Sequence, residues 1–557
     1  MSAPPARSTT RSRASARRRA RVLSAALVAL IGGAQAPAFA TDYERIEGSG
    51  STWSQVIVDQ WIADVNANGM QVTYNGGGSS VGRKNFAAEV TDFGISEIPY
   101  QGKDEAGGDD SAPKRDYAYV PIVAGGTAFT YHLEAGGELV RDIRLSGETI
   151  AKIFTNAITS WDDPAIAADN NGRVFPAQPI IPVVRSDGSG TTAQFTTWLD
   201  NQFSSIWRPY FEKAGLTSYY PIKSGSKMIG AAGSDQVMNT IAAASGNGTI
   251  GYVEYSFPLN KQYPVVKMLN AAGFFVEPTQ YAVAVGLTRA KIDQDAASQR
   301  YLTQILDDVY VHTDPRAYPL SSYSYLLLPT GPSDQRMNTR KRQTLVDFMF
   351  YSLCEGQGKA GPFGYSPLPL NLVQAGFEQL GKLKTADPAV EFANRDATAC
   401  NNPTFVAGDL SRNRLAEIAP PPPECDRAGA GPCLGAGQAL GAAAGAPGAS
   451  GAPGDAAAGG AAGTGGGGAA AGAGGAVGAD GLPIAGSAID PETGLPVGGG
   501  ASGVGGALAA GAVASQISLR PAGGATAFGA LAAAELLAII LIPGLLAARA
   551  RRRALAA

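Results

Sequence analysis

Four short segments of this chain are built from Gly, Ser and Thr at positions that open a helix or end a strand. They read G-S-G-S-T-W (Gly48–Trp53), N-G-G-G-S-S-V-G-R-K (Asn75–Lys84), T-D-F-G-I-S-E (Thr91–Glu97) and V-R-S-D-G-S-G-T-T (Val184–Thr192). Together they offer many backbone N–H groups and several hydroxyls, with Arg185 as the candidate arginine and Glu97 as the candidate carboxylate. Backbone donors at helix N-termini, with glycines that let the backbone come close, are the chemistry of oxyanion binding. The same set is poor material for catalysis. The chain has only two histidines, His132 and His312, and no cluster of metal ligands. Ser189 has no evident base except Asp187.

Each segment also has a plainer explanation. Thr52 or Ser79 could serve as an ordinary helix N-cap, and Glu97 could be a surface glutamate after a strand. The Arg185–Thr191 run is the strongest of the four: a strand ends in arginine, a turn follows, and a helix opens with Ser189, Gly190 and Thr191. Asp187 is close enough to pair with Arg185 and fix the orientation of its guanidinium. Glu97 looks misplaced in an anion site unless the ligand itself carries a proton. Hydrogen phosphate can donate to a carboxylate, whereas sulfate would set acceptor against acceptor, a mismatch costing a factor of about 10⁴.

The elements that must position these residues belong to an α/β class. Strands are expected at Gln71–Tyr74, Asp92–Ser96, Tyr119–Val123, Ala128–His132, Ile180–Arg185, Gly248–Tyr252 and Ser324–Leu328. Helices are expected at Thr52–Asn66, Ser80–Glu89, Ser146–Phe154, Thr191–Phe203, Ser234–Ala244, Ala297–Val309 and Lys341–Leu353. In open α/β sheets ligands bind beyond the carboxyl ends of the strands, where the four segments fall.

The motifs, taken in order, resemble the phosphate-binding subunit of the high-affinity phosphate ABC importer. The matching stretches are G-S-G-S-T-W, Y-N-G-G-G-S-S-V-G, T-D-F-G-I-S-E, I-F-T-N-A-I-T-S-W-D-D-P-A-I, V-V-R-S-D-G-S-G-T-T and G-Y-S-P-L-P near Tyr365. The resemblance implies a two-lobed periplasmic-binding-protein fold of type II. Lobe I would span about 41–122 plus 320–385 and lobe II about 123–319, with crossovers near Pro121–Ala124 and Pro319–Tyr325. It places Thr52, Trp53, Ser79, Glu97, Arg185, Ser189, Gly190 and Thr191 around inorganic phosphate, with Asp187 supporting Arg185. Permease subunits are the implied partners, with no cofactor. The chain departs from better-known members in carrying Trp53 for Phe, which binds through its backbone N–H, and Glu97 for Asp.

The ends read as targeting devices. Seven arginines between Arg7 and Arg21, an apolar run Val22–Ile31 and Ala38-Phe39-Ala40 form a secretory signal over residues 1–40. Residues 526–548 are long and apolar enough to cross a bilayer. The basic tail 549–557 places the C-terminus inside and everything upstream outside. Between them, residues 386–525 are read as a Gly/Ala/Pro-rich tether spanning about 65 Å. Four cysteines in an exported chain predict disulfides, with Cys354–Cys400 and Cys425–Cys433 the favoured pairs. A net charge of −3 gives no basis for nucleic-acid binding. The anchor leaves a second reading beside transport, a tethered surface sensor or adhesin retaining an oxyanion-binding lobe; a phosphatase is the third.

Overall fold

The computed structural model describes residues 43–433, apart from 104–107, 296, 299, 396, 398–399, 407–408 and 410–411. The signal segment, most of the tether and the apolar span 526–548 lie outside the described residues.

Eight strands form the main sheet: β1 (Ile46–Gly50), β2 (Val72–Asn75), β3 (Phe93–Ser96), β4 (Tyr117–His132), β5 (Ile181–Arg185), β6 (Ile229–Ala231), β7 (Thr249–Glu254) and β8 (Ser321–Pro329). Their order is β6-β5-β7-β4-β8-β3-β1-β2. This is a two-lobed α/β architecture. In one lobe β2, β1 and β3 run parallel and β8 closes the group antiparallel. In the other β6, β5 and β7 run parallel and β4 closes antiparallel. Strand β4 belongs to both. It pairs with β8 from Tyr117 to Gly126 and with β7 from Thr127 to His132. The partner change at Gly126 lies just past the expected crossover, and two expected strands are one continuous strand.

Pro121 in β4 has no N–H to give to the ladder, and the register with β8 shifts there. Ile122 is the extra residue, and its carbonyl is satisfied instead by the Gln357 amide at 2.8 Å. Strands β4 and β8 are buried almost throughout, as expected of the middle of a sheet covered on both faces.

Four helices bear on the site: α1 (Gln55–Asn66), α2 (Ser79–Ala87), α3 (Gly190–Gln202) and α4 (Gly233–Ala242). The expected helix Ala297–Val309 is not formed. Only Asp307–Tyr310 is helical, and Gln304–Ile305 pairs with Lys291–Ile292 as a short strand. Tertiary contacts override local propensity here. Buried Gln304 accepts the Tyr323 N–H at 2.9 Å and donates to the Tyr323 carbonyl at 2.8 Å, so its segment is tied to β8.

The described residues of 387–433, grouped with the tether from composition, are packed on the domain. The Cys354–Cys400 and Cys425–Cys433 disulfides are both formed. Further along, the fully buried Arg144 donates to the carbonyls of Cys425 (3.1 Å) and Ala430 (2.8 Å), and Asp426 pairs with Lys267 at 2.7 Å. Arginine satisfies chain carbonyls that the Gly/Ala/Pro-rich sequence could not pair by itself.

Candidate functional site

The four segments meet at the carboxyl ends of β1, β3 and β5, where the lobes touch. The expected helix at Thr52 begins later, at Gln55. Gly50 takes φ +143°, and the Ser51 hydroxyl then accepts the N–H of Trp53 (3.0 Å) and of Ser54 (3.4 Å). This serine turn competes with the helical turn and delays it. The Trp53 N–H, assigned above to the anion, is therefore engaged by Ser51. Trp53 is buried behind the site, its ring edge-on to Tyr365 at 5.8 Å and its carbonyl accepting from the Tyr365 hydroxyl at 2.7 Å.

Thr52 reaches across the cleft. Its Oγ1 lies 3.0 Å from the Ser234 hydroxyl and accepts the Ser234 N–H at 3.2 Å. Ser234 opens α4, so a third helix N-terminus does join α2 and α3, although it is α4 and not α1. Arg185 ends β5 and is 2% exposed. Its Nε donates to Asp187 Oδ1 at 2.7 Å and Nη2 to Oδ2, a two-pronged pair, while Nη1 lies 3.4 Å from Ser234 Oγ. Asp187 in turn accepts the Gly233 N–H at 3.0 Å, placing its charge at the positive end of α4. Burial pushes the Asp187 carboxyl up, but the hydrogen bonds and charge of Arg185 outweigh it and hold the group below its usual range.

Helix α3 opens with Ser189 as N-cap, its hydroxyl accepting the Thr192 N–H at 3.2 Å. The N–H groups of Gly190 and Thr191 have no intrahelical acceptor by position. The Thr191 hydroxyl, on a residue 1% exposed, is buried without a hydrogen-bond partner among the described residues. The Ser189 hydroxyl accepts in its cap and keeps its proton to donate, while Asp187 is engaged by Arg185, so the carboxylate nearest Ser189 in the chain is not free to act as its base.

Glu97, at the end of β3 and 1% exposed, accepts the Ser79 hydroxyl at 2.6 Å on Oε2 and the Ser324 hydroxyl at 2.7 Å on Oε1. The Ser79 hydroxyl is thus turned to Glu97, leaving the Ser79 N–H in the first turn of α2 as its donor toward the cleft. Gly190 faces this pair so closely that a Cβ there would stand 2.1 Å from Glu97 Oε2 and 2.6 Å from Ser79 Oγ. The lobes are joined across the cleft by the Ser80 N–H to the Gly188 carbonyl (3.0 Å) and by the Gln194 amide to the Glu97 carbonyl (2.8 Å).

Seven of the nine expected residues line this junction through a side chain or a first-turn N–H, with Asp187 behind Arg185 and Trp53 behind Thr52. Sequence reasoning passed over Ser51, Gln194, Ser234 and Ser324. Gly233-Ser234 at the start of an expected helix was a usable signal for one of them. Ser324 sits inside a strand and gave none. Among the described residues no group of three or more His, Cys, Asp or Glu could hold a metal ion.

The profile of the PBP superfamily domain matches residues 35–355. The chain belongs to the PBP superfamily. Two relatives by sequence are named phosphate-binding protein PstS. One, from Xylella fastidiosa (strain Temecula1), is 29% identical over 333 residues, 59% of this chain and 83% of the relative. The other, from Methanocaldococcus jannaschii, is 28% identical over 350 residues, 61% of this chain and 86% of the relative. A solved high-affinity periplasmic phosphate-binding protein with bound phosphate aligns over 63% of this chain and 100% of its own, at 17% identity and a TM-score of 0.46. No helix among the described residues is long and apolar enough to cross a membrane.

Proposed function

We propose that the PBP domain of this chain binds inorganic phosphate, as hydrogen phosphate, between its two lobes outside the cytoplasm and delivers it to the permease of an ABC importer. The observation that carries this reading is the Thr191 hydroxyl. A buried hydroxyl without a partner costs free energy unless a ligand supplies the missing bond. Thr191 lies in the first turn of α3, where a helix N-terminus favours an anion. Arg185 adds a buried positive charge, with its fork already oriented by Asp187. The names of the PstS relatives fit the same ligand. Thr52, Ser79, Glu97, Arg185, Ser189, Gly190 and Thr191 form the binding set, with Asp187 in support and Trp53 as the wall behind Thr52.

Glu97 gives the site its selectivity in this reading. Both of its oxygens accept from hydroxyls and so meet the ligand with lone pairs only, which suits a ligand that brings its own proton. The anchoring scheme read from the termini completes the proposal: export through residues 1–40 and retention by the apolar segment 526–548, with its basic tail inside.

The test is calorimetric titration of the intact chain, freed of bound phosphate, with phosphate and with sulfate. One-to-one phosphate binding with sulfate at least a thousandfold weaker is expected. Equal affinity for both anions refutes the proton-reading site, and no heat with either refutes phosphate binding altogether.

A further inference from the structure

Glu97 is held more completely than a ligand-facing carboxylate requires. Ser79 donates to Oε2 at 2.6 Å and Ser324 to Oε1 at 2.7 Å, and all three residues are no more than 1% exposed. A serine hydroxyl has one proton to give, and both spend it on Glu97. The backbone carbonyl of the same residue accepts from the Gln194 amide at 2.8 Å and the Gln304 amide at 3.2 Å. Glutamate has one more rotatable bond than aspartate, so its carboxylate plane needs an additional constraint to point one way.

Ser324 supplies that constraint from an element none of the four sequence motifs includes. It lies on β8, opposite Val123, at the position where the β4–β8 register shifts past Pro121. Such an irregularity re-aims side chains relative to a regular ladder. Because β8 starts opposite Gly126, where β4 passes from one lobe to the other, Ser324 ties Glu97 to the strand pair at the lobe junction.

We propose that Ser324 is a specificity-determining positioning residue: by donating to Glu97 Oε1 it keeps the carboxylate turned to the ligand as a pure acceptor, and so sets the preference for hydrogen phosphate over sulfate. Ser324 acts through Glu97 and does not touch the anion. With the hydroxyl removed, Oε1 is free to rotate away from the ligand, and sulfate no longer meets a fixed acceptor. The inference rests on the phosphate reading above, and the experiment separates the two.

The intact chain is titrated with phosphate and with sulfate as wild type, Ser324→Ala, Ser324→Thr, Glu97→Gln and the double variant Ser324→Ala/Glu97→Gln, with circular dichroism as the check on folding. Loss of one hydrogen bond to a charged group changes an equilibrium by about tenfold or more. Ser324→Ala is expected to lower the phosphate-to-sulfate affinity ratio by about tenfold, and Ser324→Thr, which keeps the hydroxyl, to hold it within about threefold. In the Glu97→Gln background the Ser324→Ala change should add less than about twofold, because residues acting through one another are not additive. An unchanged ratio in Ser324→Ala, or effects of the two substitutions that simply multiply, overturns the role of Ser324 while phosphate binding stands. Failure of the wild type to bind phosphate overturns both.

Discussion

Replacing Thr191 with valine separates binding from stability, because the two should move in opposite directions. Valine keeps the shape and the β-branch and removes only the hydroxyl. That hydroxyl is buried and has no partner among the described residues, so the phosphate-free protein bears its desolvation cost, about 1–3 kcal/mol. Unfolding entropy of about 2.1 cal/mol/K per residue over the roughly 380 described residues amounts to about 0.8 kcal/mol/K. The phosphate-free variant should therefore melt about 1–4 °C higher than the wild type. With phosphate the sign reverses. A hydrogen bond to a charged group contributes about 1.5–3 kcal/mol, so the dissociation constant should rise about 10- to 150-fold. Differential scanning calorimetry of the stripped protein gives the first quantity and isothermal titration gives the second. A variant that binds phosphate as tightly as the wild type, or that is less stable when empty, would show that the Thr191 hydroxyl is not waiting for a ligand.

Arg185→Ala should weaken phosphate binding by at least about a hundredfold in the same titration, since it removes the buried guanidinium and leaves Asp187 facing the anion; retained affinity would place the site elsewhere. Gly190→Ala should bind poorly while folding normally, because the new Cβ falls 2.1 Å from Glu97 Oε2 in the joined-lobe arrangement, and small-angle scattering should find it open even at saturating phosphate. Loss of the Cys354–Cys400 bond by paired serine substitution should cost about 4 kcal/mol on the chain-entropy account of a 46-residue separation, read by urea denaturation, with phosphate affinity unchanged. Glu254, fully buried at the end of β7 beside Gly125, has a carboxyl that burial raises well above its ordinary value, with the Ser256 N–H at 2.5 Å only partly opposing. An acid that stays protonated only when folded stabilises the native state below its unfolded pKa, and that contribution is lost as pH rises through the folded value. Glu254→Gln should therefore lessen the fall in stability above about pH 4.5, a change visible in melting curves between pH 4 and 8.

The candidate site was legible because the chemistry proposed for it is local. A helix N-terminus needs only a glycine for close approach and a hydroxyl or bare N–H in the first turn, and those residues are consecutive in Gly78–Ser80 and Ser189–Thr191. The Arg185–Asp187 pair is likewise two residues apart. What escaped detection depends on residues far apart in the chain. Ser324 reaches Glu97 across 227 positions and Ser234 reaches Thr52 across 182, and no spacing rule brings such pairs together. The start of α1 was misplaced for a local reason of another kind, a Ser51 hydroxyl that outcompeted the helical turn for two backbone N–H groups.

The same division holds for the rest of the molecule. By itself the sequence determined the α/β alternation, the favoured cysteine pairs and most residues of the candidate site, because turn chemistry, periodicity and composition act over a few residues. Tertiary structure alone decided that Tyr117–His132 is one strand shared by both lobes, that Gln304 bonds to β8 instead of joining a helix, and that the described residues of 387–433 pack on the domain. Each of these depends on a partner that local propensity does not contain: β7 and β8 for β4, the Tyr323 backbone for Gln304, and Arg144 and Lys267 for the final segment. Where a buried polar group finds its partner is settled only when the chain has folded around it.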